Sequence, residues 1–403
     1  MTRTVDTLAI EGPLMEQSPV TFSFFLIFSG AAVLASVALY TRQPLLIAYI
    51  VLGALIGPYG MALIADLSLL QDIAHIGIIF LLFLLGLDMQ PQALLTTVRK
   101  STLVAVLSSL VFALLGIGVA RLFGFNTLEA LIIGLAMMFS STIIGIKLLP
   151  TTVLHHRHTG ELMVGVLLLQ DMIAILVLVM LMGSRKGEFD VTAALGALLA
   201  LPLLIAVSVA LVKLVLVRLI QRFDRFHEYI FLLAIGWCLG LAELAGALRL
   251  SPEIGAFVAG VSIASSPISQ YIAVSLKPLR DFFLVLFFFS LGASFDLGVL
   301  HSIYAAALLL SLLILVAKPL VFRFLLGRLS ETPALAWDVG LRLGQNSEFS
   351  LLIAYLAAGF ALIGKEASHL IQATAIISFV VSSYIVVFNC PNPIAISDRL
   401  RRD

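Results

Sequence analysis

Apolar runs of bilayer length follow one another along almost the whole chain. A helix needs about 20 apolar residues to cross the hydrocarbon core of a membrane, and lipid offers no partners to an unpaired backbone. The sequence therefore predicts an all-α polytopic membrane protein with about 13 transmembrane helices. The runs cover about residues 20–40, 44–63, 70–88, 101–122, 128–150, 159–183, 192–217, 228–248, 252–268, 276–296, 300–325, 336–363 and 369–390.

The composition excludes an ordinary soluble protein, because 61% of the residues are hydrophobic and only 12% are charged. The apolar runs occupy nearly all of the sequence, so we expect one transmembrane transport domain over residues 1–403 and no cytosolic regulatory domain. No glycine-rich phosphate loop of the Walker A type occurs in it, which argues against pumping driven by nucleotide hydrolysis. We expect a secondary transporter with no enzymatic activity, no cofactor and no nucleic-acid partner.

Positive charge is unevenly distributed between the alternating loops. Of the lysines and arginines, 16 lie on one side of the predicted spans and 6 on the other. Such residues are retained in cytoplasmic loops, so the N-terminus is expected outside and the C-terminus in the cytoplasm. The expected location is a prokaryotic inner membrane.

Polar residues interrupt two predicted spans near their middles. The fifth span contains Ser140-Ser141-Thr142, and the twelfth contains Gly344-Gln345-Asn346-Ser347-Glu348. Side chains of these types can pair with backbone groups where a helix unwinds inside protein or beside a wet cavity. In the fifth span, close packing of two helices is an equally good explanation. The break in the twelfth span is the stronger prediction, because its acid and amides are costly in lipid.

The two interrupted spans are seven spans apart, so their chain directions are opposite across the membrane. Interrupted helices in oppositely oriented halves are typical of inverted-repeat transporters with a binding site near the midplane. Spans 4, 5 and 6 are therefore expected to correspond to spans 11, 12 and 13.

Asp171 lies near the middle of the apolar stretch from Thr159 to Gly183. A charge at this depth costs about 2.5–3.5 kcal/mol on insertion scales, so the residue is interpreted as part of an ion or proton path. Its carboxylate would alternately bind a proton and an alkali cation, which compete for one negative charge. The alternative is a structural aspartate, held in a hydrogen-bond network, that does not titrate.

The other charged residues inside predicted spans include Lys318, Glu348 and Arg342. Lys318, which precedes Pro319, is interpreted as an ammonium that pairs with Asp171 when no cation is bound; the alternative is a lysine that extends to the cytoplasmic interface. Glu348 is either a second carboxylate or a cap on the break in span 12. Arg342 is expected to extend to the interface.

Short motifs occur in a particular order over about residues 40–390. They are Tyr49–Pro58, Gly86-Leu87-Asp88 with Pro91, Ser140-Ser141-Thr142, Leu169-Gln170-Asp171, Gly255–Gly260, Leu286-Phe287-Phe288, Gly292–Asp296, Lys318, Gly344-Gln345 and Glu348-Phe349. Each motif alone is weak, but the ordered set resembles the second monovalent cation:proton antiporter family. The resemblance implies an inverted-repeat antiporter fold with two broken, crossed helices and exchange of a monovalent cation for H⁺.

The resemblance also implies two helix bundles in a homodimer. The core bundle comprises about residues 101–183 and 300–390, and the dimerisation bundle comprises about residues 20–88 and 192–296. During transport, the core bundle is expected to move like an elevator against the dimerisation bundle. Asp171 is the implied carrier of cation or proton, and Lys318 is its basic partner. The other candidate ion- or proton-binding residues are Gln170, Ser141 and Thr142. The candidates for supporting the broken helices are Ser140, Gln345, Asn346 and Glu348.

The choice of cation rests on Gln170-Asp171. This pair is similar to the Kef-type potassium efflux branch, whereas better-known sodium exchangers carry two adjacent acids, so K⁺ is favoured and Na⁺ remains possible. A single carboxylate favours electroneutral exchange, although the stoichiometry stays open. The alternatives are a Na⁺-selective antiporter, an uncoupled channel-like efflux protein and a scaffold that has lost transport. Two departures from the family are Asn346-Ser347 in place of a glycine pair, and the lack of the usual appended regulatory domain, which leaves open a separate regulatory partner.

Overall fold

The computed structural model describes the backbone of residues 19–41, 43–64, 68–88, 91–147, 158–182, 184–185, 188–189, 191–223, 225–248, 250, 252–264, 266 and 268–391. Sixteen α-helices lie within these ranges. They are α1 Pro19–Tyr40, α2 Leu45–Ile56, α3 Ser68–Asp88, α4 Pro91–Leu122, α5 Thr127–Met137, α6 Thr142–Lys147, α7 His158–Met182, α8 Val191–Leu211, α9 Val217–Arg222, α10 His227–Ala247, α11 Pro252–Ala264, α12 Ser269–Ala293, α13 Leu297–Arg328, α14 Pro333–Arg342, α15 Glu348–Gly359 and α16 Lys365–Asn389.

These helices make up thirteen spans, which confirms the predicted membrane fold. A π-helical turn, Val212–Leu216, joins α8 to α9 without interruption, whereas α5–α6 and α14–α15 are each one span broken in the middle. Two short strands, β1 Ser184–Arg185 and β2 Glu188–Phe189, pair in the connection between α7 and α8. Some boundaries differ from the sequence reading: α4 begins at Pro91, because a proline suits the first turn of a helix, and α11 ends at Ala264.

Length and composition alone single out six described helices as able to cross a membrane. These are Val20–Tyr40, Ser101–Leu122, Ala200–Arg222, Glu228–Ala247, Gly298–Arg328 and Lys365–Asn389. The halves of the broken spans fall short of this length, since α5 has 11 residues and α15 has 12. Each broken span reaches bilayer length only when its two halves are added end to end.

The helices pack as two groups. In the first group, α4 contacts α5, α7 and α13, while α16 contacts α13, α14 and α15. In the second group, α3 packs against α11 and α12, α2 packs against α12, and α10 packs against α11. The first group contains both broken spans, so it is the one that positions the candidate site.

Glycines allow very close helix contacts in the second group. A Cβ atom at Gly53 of α2 would overlap the carbonyl oxygen of Phe289 in α12, and one at Gly292 would overlap that of Ile50. Gly86 of α3 and Gly260 of α11 meet each other's helix in the same way. Small residues let membrane helices approach this closely, which explains why glycines recur in the sequence motifs.

Candidate functional site

The first break separates α5 from α6. The backbone leaves the helix after Met138, and Phe139, Ser140 and Ser141 are not helical. Gln170 of α7 holds this segment, because its Oε1 accepts from the Ser140 N–H at 3.0 Å and its amide nitrogen donates to the Met138 carbonyl at 3.4 Å. The Ser141 hydroxyl accepts from the Ile144 N–H at 3.1 Å and so caps α6. The predicted Ser-Ser-Thr break is thus present. The backbone groups of Met138, Ser140 and Ile144 at the break are hydrogen-bonded to side chains.

The second break separates α14 from α15 and is held from the other side by α16. Ser378 accepts from the Asn346 N–H at 3.0 Å, and Ser382 donates to Oε1 of Gln345 at 2.8 Å. The Ser347 side chain caps α15 by accepting from the Phe349 N–H at 3.1 Å. The Asn-Ser pair that replaces the usual glycines therefore forms a regular helix start.

The two breaks contact each other directly. Ser140 donates to the Leu343 carbonyl at 2.8 Å, and the Asn346 amide lies 3.1 Å from the sulfur of Met137. The Gln345 amide lies 3.5 Å from the Ser141 carbonyl, and Ser350 donates to the Ala136 carbonyl. Two helices interrupted at the same depth thus cross at their interruptions, and this region is called the crossing below.

Lys318 of α13 joins both breaks. Its ammonium donates to the Phe139 carbonyl at 2.6 Å and to the Gln345 carbonyl at 2.9 Å, and it also lies 5.3 Å from the centre of the Phe112 ring. The side chain is 0% exposed, so it does not extend to the interface. The charge faces one carbonyl from each interrupted helix, and charge-assisted hydrogen bonds of this kind are the strong ones.

The ion pair of Lys318 with Asp171 is not formed. Among the described residues, the polar groups that meet the Lys318 ammonium are the two carbonyl oxygens of the crossing. The prediction of an ion pair rests on the opposite charges of the two side chains. The sequence does not reveal that two broken helices present carbonyl oxygens beside Lys318, and that these oxygens also need donors.

A close backbone contact brings Lys318 into range. A Cβ atom at Gly340 of α14 would lie 2.8 Å from the carbonyl oxygen of Pro319, which is nearer than real Cβ atoms approach. Because residue 340 is glycine, α13 can pack directly on the first half of the broken span. Lys318 then lies beside the break that follows this half-helix.

Asp171 lies beside the start of α6. Its side chain is 0% exposed, and the Thr142 hydroxyl is 3.3 Å from one carboxylate oxygen and 3.5 Å from the other. The Glu348 carboxyl is near enough to act electrostatically on Asp171. The structure therefore brings together Asp171, Gln170, Thr142 and both breaks.

The predicted site residues divide by what they contact. Asp171 and Thr142 face each other, whereas the side chains of Ser140, Gln170 and Gln345 make hydrogen bonds to backbone groups of the breaks. Asn346 bonds to both α5 and α16, and the Ser141 side chain is used as a cap. Glu348 begins α15 beside the crossing.

The expectation for Arg342 is wrong. Its side chain is 1% exposed, pairs with Asp338 at 2.9 Å and donates to the Pro391 carbonyl at 2.6 Å. Asp338 lies one turn earlier on α14, and the end of α16 lies beside it. A partly exposed acid and a carbonyl therefore bind the buried Arg342 guanidinium in place of interfacial water.

Two groups of functional interest were missed. His75 of α3 and Glu253 of α11 form a 2.7 Å contact inside the second helix group. Glu253 follows Pro252 at a helix start, where acids are common, and it therefore carried no separate signal. Ser378 and Ser382 of α16 were overlooked as well, although their i, i+4 spacing puts them on one helix face.

The arrangement suits a hard monovalent cation or a proton. A buried unpaired charge is costly, so a deeply buried carboxylate favours a bound positive charge of either kind. Oxygen ligands suit hard cations, and the Asp171 carboxylate and the Thr142 hydroxyl supply them here. Among the described residues there is no cluster of three or more His, Cys, Asp or Glu that could hold a metal ion by itself.

Comparison with known proteins agrees with this geometry. The chain is 28% identical over 366 residues to the "Putative cation/proton antiporter YbaL" of Escherichia coli (strain K12), covering 87% of this chain and 65% of that protein. It is 27% identical to "K(+) efflux antiporter 5" of Arabidopsis thaliana, covering 84% of this chain and 61% of that one. The chain therefore spans less than two thirds of the length of the curated relatives it matches.

A solved structure shares the fold. The sodium proton antiporter MjNhaP1 from Methanocaldococcus jannaschii superposes with a TM-score of 0.68 over 91% of this chain and 95% of that one, at 18% identity. The family model described as "Sodium/hydrogen exchanger, transmembrane" matches residues 24–388. With the crossed breaks and the buried acid already located, this match shows that the chain belongs to the transmembrane sodium/hydrogen exchanger family.

Proposed function

We propose that this protein is a secondary transporter that exchanges a monovalent cation for H⁺, with Asp171 as the shared carrier. The observation that carries the proposal is the fully buried Asp171 carboxyl beside Thr142 at the crossing of two broken helices. The relatives that this chain matches are named as cation/proton and K⁺ efflux antiporters, which supports the same activity.

Competition for one carboxylate supplies the coupling. When Asp171 is ionised it binds a cation, and when it is protonated its negative charge is gone and the cation leaves. A second acid, Glu348, acts electrostatically on the same carboxyl. Two neighbouring acids resist being ionised together, so we assign Glu348 to modulating the charge that Asp171 carries.

Lys318 is assigned a supporting role in the proposed mechanism. With its side-chain nitrogen on one carbonyl from each break, it keeps the two breaks together. We therefore propose that Lys318 maintains the crossing, while Gln170 and Ser140 keep the first break open beside Asp171.

The cation is proposed to be K⁺, with Na⁺ as the other candidate. The relatives named as K⁺ efflux antiporters and the single carboxylate at 170–171 favour K⁺. A Na⁺-selective antiporter and an uncoupled channel-like efflux protein are the alternatives that the experiment below separates.

The proposed movement is of elevator type. The helices of 101–183 and 300–390 contact one another around the crossing, and those of 20–88 and 192–296 pack through glycines, which supports a moving core against a rigid second bundle. The proposal that this second bundle forms a homodimer rests on the family resemblance. The proposed location is a prokaryotic inner membrane with the N-terminus outside and the C-terminus in the cytoplasm, as the loop charges favour. A separate regulatory subunit is compatible with this assignment.

Proteoliposomes with an internal pH dye test the proposal. After acid loading, addition of Li⁺, Na⁺, K⁺ or Rb⁺ should cause cation-dependent proton efflux, strongest with K⁺. Asp171→Asn should abolish it while the protein still purifies with an unchanged melting temperature. Asp281→Asn is the matched control, because Asp281 is an exposed acid that pairs with Arg280.

Each alternative has its own outcome. Efflux with Na⁺ but not K⁺ would replace K⁺ by Na⁺ in the proposal, and cation current without proton movement in planar bilayers would replace exchange by a channel. Undiminished exchange by Asp171→Asn would remove Asp171 as the carrier.

A further inference from the structure

We propose that His75 and Glu253 form a second proton-binding site, one helical turn outward of a small apolar cleft that reaches Glu348 beside the crossing. This inference rests on the proposed exchange of a cation for H⁺ and assigns it an entry and exit point for the proton. His75 and Glu253 belong to the glycine-packed helix group and take no part in the crossing.

The contact between the two side chains is specific. His75 Nε2 lies 2.7 Å from Oε1 of Glu253, so the ring N–H donates to the carboxylate. The Glu253 side chain is 2% exposed, whereas the His75 side chain is 38% exposed. One partner is therefore buried among helices, and the other is partly exposed.

A small apolar cleft lies between α3, α12 and α15. Its walls include Ile78 and Leu82 of α3, Phe288 of α12, and Glu348 and Leu352 of α15. His75, Ile78 and Leu82 follow one face of α3 at helical spacing. The pair thus lies one turn beyond the cleft wall that ends beside Glu348.

The opposite wall leads to the same place. Glu348, Leu352 and Tyr355 follow one face of α15 at helical spacing, and Tyr355 is near enough to Asp72 and Glu253 to interact with both electrostatically. Glu348 therefore lines the cleft, and His75, Glu253 and Tyr355 lie about one helical turn beyond it. In the proposed orientation, these three residues are on the outer side of the cleft, because α3 begins outside.

The charges around His75 favour a bound proton. Glu253 of α11 contacts the ring, and Asp72, one turn earlier on α3, acts on it electrostatically. The phenol of Tyr355, on α15, lies near both of these acids. The two side chains that act on His75 are thus both acids. An imidazole titrates near neutral pH, where small changes in its surroundings decide its charge.

The proton balance is simple. At high pH the pair is neutral His75 with ionised Glu253; at low pH it holds one more proton, on Nδ1 of His75. The Nε2–H bond to Glu253 is the same in both states, so the contact keeps its geometry while a proton is loaded and released. The site can therefore load and release a proton without a change in the helix packing.

Right-side-out and everted vesicles test this site from its two sides. His75→Gln keeps an N–H donor for Glu253 but cannot take up the proton. The outer pH is set at values from about 5 to 8, the range in which histidine titrates. We expect the exchange rate of His75→Gln to be several-fold below that of the wild type. Its plot of rate against outer pH should also lack the inflection that the wild type shows. Variation of the cytoplasmic pH should give the wild-type profile. His301→Gln is the matched control, because His301 is an exposed histidine on α13.

A second measurement does not depend on transport. In ¹⁵N-histidine-labelled Asp171→Asn protein, the His75 ring signal, among those of the seven histidines, should titrate between about pH 5 and 8, as histidine normally does. The signal should be missing in the protein that also carries His75→Gln, and its midpoint should change with Glu253→Gln. A wild type that does not exchange would overturn the proposed function and leave this measurement to decide on the site. A His75 signal that does not titrate, or an outer pH profile of His75→Gln that matches that of His301→Gln, would overturn the site itself.

Discussion

Around Lys318 the helices are joined by hydrogen bonds to non-helical backbone groups of the two breaks. In contrast, α2 and α12 are joined by glycines that leave no room for a side chain. At the crossing, one ammonium and several hydroxyl and amide groups satisfy two interrupted helices. Between α2 and α12, Gly53 and Gly292 each face a backbone carbonyl of the other helix.

The difference concerns what each contact permits. Hydrogen bonds to the non-helical backbone of the breaks could exchange partners if an ion entered or left, with little change in helix separation. A glycine contact has no such alternatives, because any tilt of one helix drives backbone into backbone. We interpret the crossing as the adaptable part of the molecule and the glycine-packed helices as its rigid part.

The largest effect is expected for Lys318→Ala. Two buried carbonyls, of Phe139 and Gln345, would lose their donor, and each such loss costs about 1–3 kcal/mol. We expect a lower melting temperature, faster amide hydrogen exchange at 138–147 and 343–350, and loss of cation/proton exchange. Lys318→Gln, which retains N–H donors without the charge, should recover much of the stability. Slow, wild-type hydrogen exchange at both breaks in Lys318→Ala would show that something else holds the crossing.

Gly292→Ala tests the rigid side of the comparison. Its Cβ would overlap the carbonyl oxygen of Ile50, and overpacking of this kind costs about 1–3 kcal/mol. Hydrogen exchange should increase in α2 and α12 but not at the crossing. Gly236→Ala is the matched control, because a Cβ there meets open space and the better helix former should stabilise by up to about 1 kcal/mol. Equal melting temperatures for the two variants would contradict the proposed rigidity of the glycine contact.

Ser140→Ala should have a smaller effect, confined to the crossing. It removes the direct bond from the first break to the Leu343 carbonyl, at a cost of about 0.5–1.5 kcal/mol. Exchange should slow without being abolished, because Asp171 and Thr142 are untouched. Ser302→Ala, in which an exposed hydroxyl loses a bond to its own helix, should leave melting temperature and transport at wild-type values. A Ser140→Ala protein that behaves like this control would mean that the hydroxyl adds nothing to the crossing.

The smallest effect is expected for Ser382→Ala. Gln345 would lose one donor to its side-chain oxygen, and polar contacts between membrane helices are worth about 0.6 kcal/mol on average. Hydrogen exchange should rise locally at 343–347. The neighbouring Ser383→Ala, which affects only a bond to the Phe379 carbonyl within α16, should not change it. An effect as large as that of Lys318→Ala would show that α16 is as important as α13 in holding the second break.

Much of the architecture could be predicted from the sequence. The apolar runs predicted thirteen spans, although only six described helices are long and apolar enough by themselves to cross a membrane. Both breaks follow from polar residues that lipid does not tolerate. The depth of Asp171 in its run singled it out as a candidate, and its place beside the first break is consistent with that interpretation, although its role as carrier remains a prediction. The partners of Lys318 and Arg342 could not be predicted, because the Phe139, Gln345 and Pro391 carbonyls that they bind carry no signature in the sequence.

By itself the sequence determined how many times the chain crosses the bilayer and where its helices cannot continue, because hydrophobic length and the cost of polar groups in lipid depend on local composition. Only the tertiary structure decided that the two interruptions meet, that Lys318 binds a carbonyl from each, and that His75 meets Glu253. Those contacts join residues that are far apart in the sequence, by 179 positions for Lys318 and Phe139 and by 214 positions for Ser350 and Ala136. Contacts over such separations depend on how the helices pack, and no local pattern of residues specifies that.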